Sequence, residues 1–212
     1  MKLKLLFCTT LLSAVNAIAA PIYSNYPWTS EHSSLYVYAH EHKGFIVDNG
    51  YEKYKNYLKY RDHIREITDK YRVPKEVVIV AAIESSFVAD AKSRAGAVGM
   101  WQFMPATARD VGLEVNKRTD ERLDWKKSTE AAAKYLKWLA DQFGGDYETA
   151  ILAYNYGIGN VKRISNQIKS REAFKIIDSG KLPKESEEYL LKFLTYLHYF
   201  NYLDQNYEEL YE

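Results

Sequence analysis

The stretch that decides the fold is residues 77–105, VVIVAAIESSFVADAKSRAGAVGMWQFMP. It begins with seven apolar residues in a row, and a helix that is apolar on every side is a buried helix. Pro74 precedes the run and suits the first turn of such a helix. Glu84 follows the run directly, so we expect its carboxyl at the edge of the core, where loss of water raises the pKa of the group. A carboxyl of that kind can hold a proton near neutral pH and donate it to a leaving oxygen.

The segments on both sides of this stretch predict further helices. Apolar and aromatic side chains recur at helical spacing over residues 51–71 and again over 130–143. Another helix is expected at 146–156, because its first residue is an aspartate that suits the N-cap and a glycine follows its end. A last helix runs from about 183 to 197. Five or more helices with short loops and no clear sheet predict a mainly α protein with a single helical domain.

Residues 1–19 have the pattern of a removable export signal. Lys2 and Lys4 precede an apolar run that ends in small residues, as in secretory signal peptides. The run is too short, and its far flank too polar, for a transmembrane segment. We therefore expect an exported protein that acts in the periplasm and does not span a membrane.

Residues 20–50 lack a helical period and are rich in Tyr, Ser and His. We interpret them as an extended, Tyr-rich N-terminal arm, with short strands around residues 35–39 and 45–47. The helical domain would then cover residues 51–212.

Composition excludes several classes of function. The formal net charge is +1, and a near-neutral chain argues against a protein that binds nucleic acid through its phosphates. The single cysteine, Cys8, lies in the predicted signal, so the mature chain would hold no disulfide. The five histidines show no metal-ligand spacing and the sequence has no nucleotide-binding loop, so we expect neither a metal nor a cofactor. We expect a monomer.

Four short motifs follow one another along the chain. They are Glu84-Ser85-Ser86-Phe87, Gly99-Met100-Trp101-Gln102-Phe103-Met104-Pro105, Ala153-Tyr154-Asn155-Tyr156-Gly157, and the pattern Leu182, Pro183, Glu185 and Tyr189. In this combination the chain resembles the lytic murein transglycosylases of the lysozyme-like superfamily, over roughly residues 71–200. It departs from them at Val88 and Ala89, where the family usually has Asn or Asp followed by Pro, and at Tyr156, where a small residue is usual. The first departure concerns the shape of a loop and the second the width of the cleft.

The resemblance implies a lysozyme-like fold, peptidoglycan glycan strands as the substrate, and no cofactor. It implies that Glu84 is the catalytic acid and base. It also implies that six residues line the substrate cleft: Ser93, Met100, Gln102, Tyr154, Asn155 and Tyr189. Each of the six has an ordinary structural interpretation too, such as a loop residue, a surface amide or a core side chain. Glu84 itself could be a helix-end carboxylate paired with Arg94.

Most glycosidases use two carboxyl groups, but the motifs match no second one here. The resemblance implies that Glu84 protonates the oxygen between N-acetylmuramic acid and N-acetylglucosamine. Glu84 then accepts the proton of the muramyl C6 hydroxyl as that oxygen attacks C1, which leaves a 1,6-anhydromuramic end. The nucleophile is tethered, so its effective concentration is high. Two alternatives stay open, namely a muramidase that uses water, as goose-type lysozymes do, and a catalytically silent peptidoglycan-binding module. A partner in the cell-envelope machinery also stays open.

Overall fold

The computed structural model of the protein describes residues 33–206, apart from the side chains of residues 33–37, 39, 40, 43 and 47. The predicted export signal and the first part of the predicted arm lie outside the described residues. Over this range the chain forms nine α-helices and two 3-10 helices, with isolated β-bridges in the loops. The α-helices are α1 (Ser33–Leu58), α2 (Arg61–Tyr71), α3 (Ile79–Ser85), α4 (Pro105–Asp110), α5 (Trp125–Gln142), α6 (Tyr147–Tyr156), α7 (Ile158–Ile168), α8 (Ala173–Asp178) and α9 (Lys184–Gln205). The 3-10 helices are Lys75–Val78 and Glu121–Leu123. The prediction of a mainly α, single-domain fold is confirmed.

The prediction of an extended arm is wrong for residues 33–50. Both segments expected as strands lie within α1, which also crosses the expected domain boundary between residues 50 and 51. The helix is stabilised by tertiary packing on α9 rather than by a regular apolar pattern of its own. Gly50 lets α1 and α9 approach closely, because a Cβ at this position would lie 2.6 Å from the ring of Tyr199. A residue that packs well only because it has no side chain gives no apolar signal in the sequence.

Other helix boundaries agree with the sequence or refine it. Residues 51–71 form the end of α1 and all of α2, with a turn at 59–60 between them, rather than one helix. The predicted N-cap of α6 is confirmed, since the Asp146 carboxylate accepts a hydrogen bond from the backbone N–H of Thr149 at 3.1 Å. Gly157, at φ +86°, ends α6 as predicted, but a further helix, α7, begins directly after it.

The predicted buried helix forms the centre of the core. Val77 through Ala82 are all buried, over the 3-10 turn and the first part of α3. Helix α9 packs against α1, α3 and α6. This arrangement brings the start of α9 to the C-terminal end of α3, where Glu84 lies. Within residues 33–206, none of the helices combines the length and the apolar character that crossing a membrane requires.

Candidate active site

Glu84 lies in the last turn of α3, half-buried at the edge of the core. The hydroxyl of Tyr189, from α9, donates a hydrogen bond to Glu84 Oε1 at 2.7 Å. Loss of water on burial raises the pKa of the Glu84 carboxyl, while the Tyr189 hydrogen bond and the charge of Lys192 act in the opposite direction and are weaker. The partner of Glu84 is therefore Tyr189, and Arg94, the alternative partner, has an exposed side chain.

The turn that follows Glu84 has an unusual backbone. Ser86 and Phe87 both have positive φ, +55° and +64°, a conformation that L-residues adopt at a cost of about 1 kcal/mol or more each. Two side chains from α1 hold this turn. Lys53 Nζ donates to the carbonyl of Ala82 at 2.8 Å and to Ser86 Oγ at 2.5 Å, and Asn56 Nδ2 donates to the carbonyl of Ser86 at 3.1 Å. Lys53 and Asn56 both lie outside the four motifs. They belong to α1, of which residues 33–50 were expected as an extended arm.

The loop between α3 and α4 is fixed by side-chain bonds to its own backbone. Ser85 Oγ donates to the carbonyl of Met100 at 2.7 Å. Gln102, at φ +49°, donates from Nε2 to the carbonyls of Gly99 and Ala91, at 2.7 and 3.2 Å. The Gln102 amide therefore shapes this loop, which is a role the sequence did not distinguish from that of a surface amide.

Arg122 is a buried residue that the sequence analysis missed. Its guanidinium pairs with the Asp120 carboxylate and donates to the carbonyls of Gly96, at 3.0 Å, and Phe103, at 2.9 Å. It therefore joins the two ends of the loop that carries Gln102. The backbone of Arg122 also explains Gly99, because a Cβ at that glycine would lie 1.9 Å from the Arg122 carbonyl oxygen. An Asp-x-Arg triplet in a loop is a weak sequence signal, since it is usually a solvated pair.

The structure brings Tyr154 and Tyr189 together around Glu84. The Tyr154 hydroxyl donates to the carbonyl of Trp101 at 2.7 Å, and burial, with the charge of Glu84, raises the pKa of Tyr154 well above its usual value. The same causes raise the pKa of Tyr189. Asn155 lies beside Tyr154 on the last turn of α6 and is half-buried. The two tyrosines are therefore neutral, partly apolar walls next to the carboxyl.

Ser93 and Met100 are placed differently from the cleft residues that the resemblance implies. Ser93 is exposed, and its Oγ accepts a hydrogen bond from the Ala97 N–H at 2.9 Å, which is the loop role named as its alternative. Met100 is 0% exposed, so its side chain belongs to the core and cannot contact a substrate in this conformation. That prediction is corrected. The methionine of this loop that solvent reaches is Met104, 44% exposed and directly before α4.

In the part of the chain that the structure describes, no second carboxylate interacts with Glu84. Among the described residues, the side chains that shift the pKa of Glu84 are Tyr189 and Lys192, and neither is an acid. Residues 33–206 also contain no cluster of three or more His, Cys, Asp or Glu side chains placed to hold a metal ion. The arrangement offers one titratable carboxyl, a phenol that orients it and two aromatic walls.

A helical domain that places one half-buried carboxyl at the end of its central helix has the lysozyme-like architecture. The chain belongs to the family described as Transglycosylase SLT domain, whose profile matches residues 62–177, more than half of the chain. The fold agrees with that of the soluble lytic transglycosylase Slt70 from Escherichia coli, with a TM-score of 0.61 over 94% of this chain and 34% of that one, at 19% identity.

Several relatives with known names are similar to this chain. It is 31% identical over 158 residues to membrane-bound lytic murein transglycosylase D of Escherichia coli K12, which covers 68% of this chain and 35% of that protein. It is 40% identical over 116 residues to peptidoglycan transglycosylase gp16 of Escherichia phage T7, which covers 54% of this chain and 8% of that protein. An inactive mutant of lytic transglycosylase Slt from Pseudomonas aeruginosa has a TM-score of 0.55 at 25% identity, over 66% of this chain and 23% of that one. The chain thus spans about a third of the length of transglycosylase D.

Proposed function

We propose that this protein is a peptidoglycan lytic transglycosylase. It cleaves the β-1,4 bond between N-acetylmuramic acid and N-acetylglucosamine and forms a 1,6-anhydromuramic end, with Glu84 as acid and base. The observation that carries the proposal is the environment of Glu84. Burial raises the pKa of this carboxyl, Tyr189 holds it, and none of the described acids interacts with it. Membership in the SLT family and the names of the relatives point the same way.

The chemistry follows from the two states of one carboxyl. Because burial favours the neutral acid, Glu84 keeps its proton to a higher pH than an exposed glutamate and can give it to the glycosidic oxygen as the C1–O bond breaks. The carboxylate that results is stabilised by the hydrogen bond from Tyr189, at 2.7 Å, and by the nearby charge of Lys192. It then takes the proton of the C6 hydroxyl as the C6 oxygen bonds to C1, which returns Glu84 to its acid form.

The muramidase alternative is less well supported. An inverting hydrolase needs a second carboxylate across the bond, with room for a water between the two groups. Among the described residues, no acid affects the pKa of Glu84. A tethered hydroxyl in a cleft walled by Tyr154 and Tyr189 has the advantage over water, because its attack requires no second molecule to be positioned.

The remaining site residues have different roles in the proposal. Tyr154 and Asn155 line the cleft next to Glu84, and Tyr189 both lines it and orients the acid. Gln102 shapes the loop that faces them, through its bonds to two carbonyls. Ser93 stays a predicted cleft residue of this exposed loop.

Export, periplasmic action and the monomeric state also belong to the proposal. Their support is the signal-like pattern of residues 1–19 and the nature of the substrate, since peptidoglycan lies outside the cytoplasmic membrane. The proposal includes no nucleic-acid partner, metal or cofactor, and it leaves a partner in the cell-envelope machinery open.

The test is the replacement of Glu84 by glutamine, which keeps the size of the side chain and removes the titrating proton. Loss of a general acid lowers a rate by roughly 10²–10⁴-fold. Clearing of a suspension of purified sacculi by the full chain should fall by that factor. Glu76→Gln is the matched control, because Glu76 is also a buried carboxyl whose pKa is raised by burial, yet it lies at the other end of the same helical segment. If the Glu84 variant still folds and clears sacculi as fast as the control, the acid is another residue.

A further inference from the structure

Three residues of α9 form one stripe along the side of the helix that faces the site. Tyr189, Lys192 and Tyr196 are spaced i, i+3 and i+7, so they share a face. The first of them bonds Glu84 through its hydroxyl. The ring of the third lies 5.6 Å from Lys53 Nζ. Lys192 comes between these two tyrosines on the helix, and its charge acts on both Glu84 and Lys53.

Among the described side chains, neither lysine of this pair forms an ion pair with a carboxylate. Lys53 uses its ammonium for the carbonyl of Ala82 and the hydroxyl of Ser86, and neither acceptor carries a charge. Lys192 is half-buried, and no hydrogen bond or ion pair joins it to any of the side chains that the structure describes. Glu188, one turn before it on the helix, pairs with Lys184 instead, at 3.5 Å. Burial and the charge of Lys192 together lower the pKa of Lys53.

The carboxyl that the charge of Lys192 acts on is Glu84, and that carboxyl is needed in its neutral form. Burial raises the pKa of Glu84, and the acid form that burial favours leaves both ammonium groups uncompensated. Half-buried cations that lack a partner are costly to the fold, and they attract an anion from outside. The substrate of the proposed function supplies such anions, because every muramyl residue carries a lactyl group that ends either in a carboxylate or in an acidic peptide.

We infer that Lys53 and Lys192 form a carboxylate-binding subsite beside Glu84, which takes an acidic group on the muramyl side of the glycan strand. The inference rests on the proposed function and adds a determinant of substrate choice to it. A bound carboxylate also neutralises the Lys192 charge, so it removes one of the two influences that lower the pKa of Glu84. Recognition of the acidic substrate thereby keeps the catalytic acid protonated.

The experiment uses the full chain with Lys192→Met, which removes the charge, and Lys192→Arg, which keeps it. Lys184→Met is the control, an exposed lysine in the first turn of the same helix. Each protein is assayed on native sacculi, on sacculi whose carboxylates are amidated with carbodiimide and ammonia, and on sacculi stripped of stem peptides by an amidase. On native sacculi we expect Lys192→Met to lower kcat/KM about tenfold, chiefly through KM, as for the loss of one partly buried charge pair. Lys192→Arg should recover most of that loss because it keeps the charge, and Lys184→Met should stay within about twofold of the unmodified protein.

The modified substrates identify the ligand. On amidated sacculi the unmodified protein should fall to the level of Lys192→Met, because the carboxylate is gone. Where a stem peptide is attached, the lactyl carboxyl is an uncharged amide, so a difference on native sacculi assigns an acid of the stem peptide as the ligand. The amidase frees the lactyl carboxylate, so a tenfold difference that persists on stripped strands shows that this carboxylate binds as well, and one that disappears there restricts the ligand to the stem peptide. A Lys192→Met variant that equals the unmodified protein on native sacculi would overturn the subsite. The subsite would also be overturned if Lys192→Met lost the same fraction of kcat on native and amidated sacculi and had a displaced pH profile. Lys192 would then act only on the pKa of Glu84.

A binding measurement separates this inference from the proposed function. Glu84→Gln and the double variant Glu84→Gln/Lys192→Met are sedimented with native sacculi at increasing salt. The double variant should bind several times more weakly at low salt, and the difference should shrink as salt screens the charges. If the unmodified chain releases no fragments but this difference is present, the proposed function fails and the subsite stands. If fragments are released and the two variants bind equally, the subsite fails alone.

Discussion

Glu148 is a carboxyl that the fold buries without a full set of partners. It lies in the first turn of α6 and is 7% exposed, and its Oε1 accepts no hydrogen bond from the described residues. Burial, with a smaller repulsion from Asp146, raises the pKa of Glu148 from 4.5 to about 8. The folded protein therefore keeps a proton on Glu148 at pH values where the unfolded chain has released it.

The sign of the effect on stability follows from that difference. The contribution of Glu148 is most favourable below pH 4.5, where the group is protonated in both states. Between 4.5 and about 8 the free energy of unfolding falls by about 1.4 kcal/mol per pH unit, because only the folded state binds the proton. Above about 8 the loss is complete. Over the whole interval it reaches on the order of 5 kcal/mol, which is an upper figure because water that enters near the carboxyl reduces it.

The perturbation is Glu148→Gln, which leaves a neutral group at every pH. At pH 5 we expect the variant within about 1 kcal/mol of the unmodified protein, and at pH 8 we expect it to be more stable by about 2–4 kcal/mol. Burial also raises the pKa of three other carboxyl groups, those of Glu76, Glu84 and Asp146. These groups are present in both proteins, so their contributions largely cancel in the stability difference.

The assay is urea unfolding at pH 5, 6, 7 and 8, followed by circular dichroism. Glu52→Gln serves as the control, because this side chain is 66% exposed and its partner is a lysine, Lys55, so its difference from the unmodified protein should not change with pH. The reasoning is refuted if the stability difference produced by Glu148→Gln is constant from pH 5 to pH 8. That result would mean that the Glu148 carboxyl is solvated or ion-paired in the folded protein.

Three further predictions concern the site and its loop. Tyr189→Phe removes a hydrogen bond that lowers the pKa of Glu84, so the alkaline limb of the pH–rate profile on sacculi should move to higher pH while kcat falls about tenfold. Gly99→Ala should lower the free energy of unfolding by several kcal/mol, measured by thermal unfolding, because its Cβ would lie 1.9 Å from the Arg122 carbonyl oxygen. Gly96→Ala is the control. It has open space around its Cβ at φ +92°, so it should cost only about 1 kcal/mol. Chelator treatment should leave the rate of sacculus clearing unchanged, and a loss that one metal restores would contradict this.

The sequence predicted those parts of the fold whose signal is local. The apolar run before Glu84, the N-cap at Asp146 and the stop at Gly157 all act through neighbouring residues, and the structure has each of them as expected. Residues 33–50 of α1 were missed because the stability of this helix comes from contact with α9, and its close approach uses Gly50, which has no side chain to register in an apolar pattern. Lys53 lies in the part of α1 that was predicted as helix, but no motif marked it as a site residue.

The candidate site depends on contacts between distant parts of the chain. Glu84 and Tyr189 are 105 positions apart and still form a 2.7 Å hydrogen bond, which no periodicity could predict and only the family resemblance implied. The same resemblance implied that Met100 lines the cleft. In the structure Met100 is buried, and Met104 is the exposed methionine of this loop. Arg122 carried no motif, because its function is to bond backbone carbonyls that any residue supplies.

The identity of the sugar end that the full chain releases from purified sacculi tests the central claim most directly. Attack by the muramyl C6 hydroxyl leaves 1,6-anhydromuramic ends, whereas hydrolysis adds one water and leaves reducing ends, so mass spectrometry of the fragments separates the two reactions. With one carboxyl and a tethered nucleophile, the account predicts that anhydro ends dominate from the first minutes of digestion and vanish in Glu84→Gln. Fragments with mainly reducing ends would contradict it and would require a second carboxylate close to Glu84.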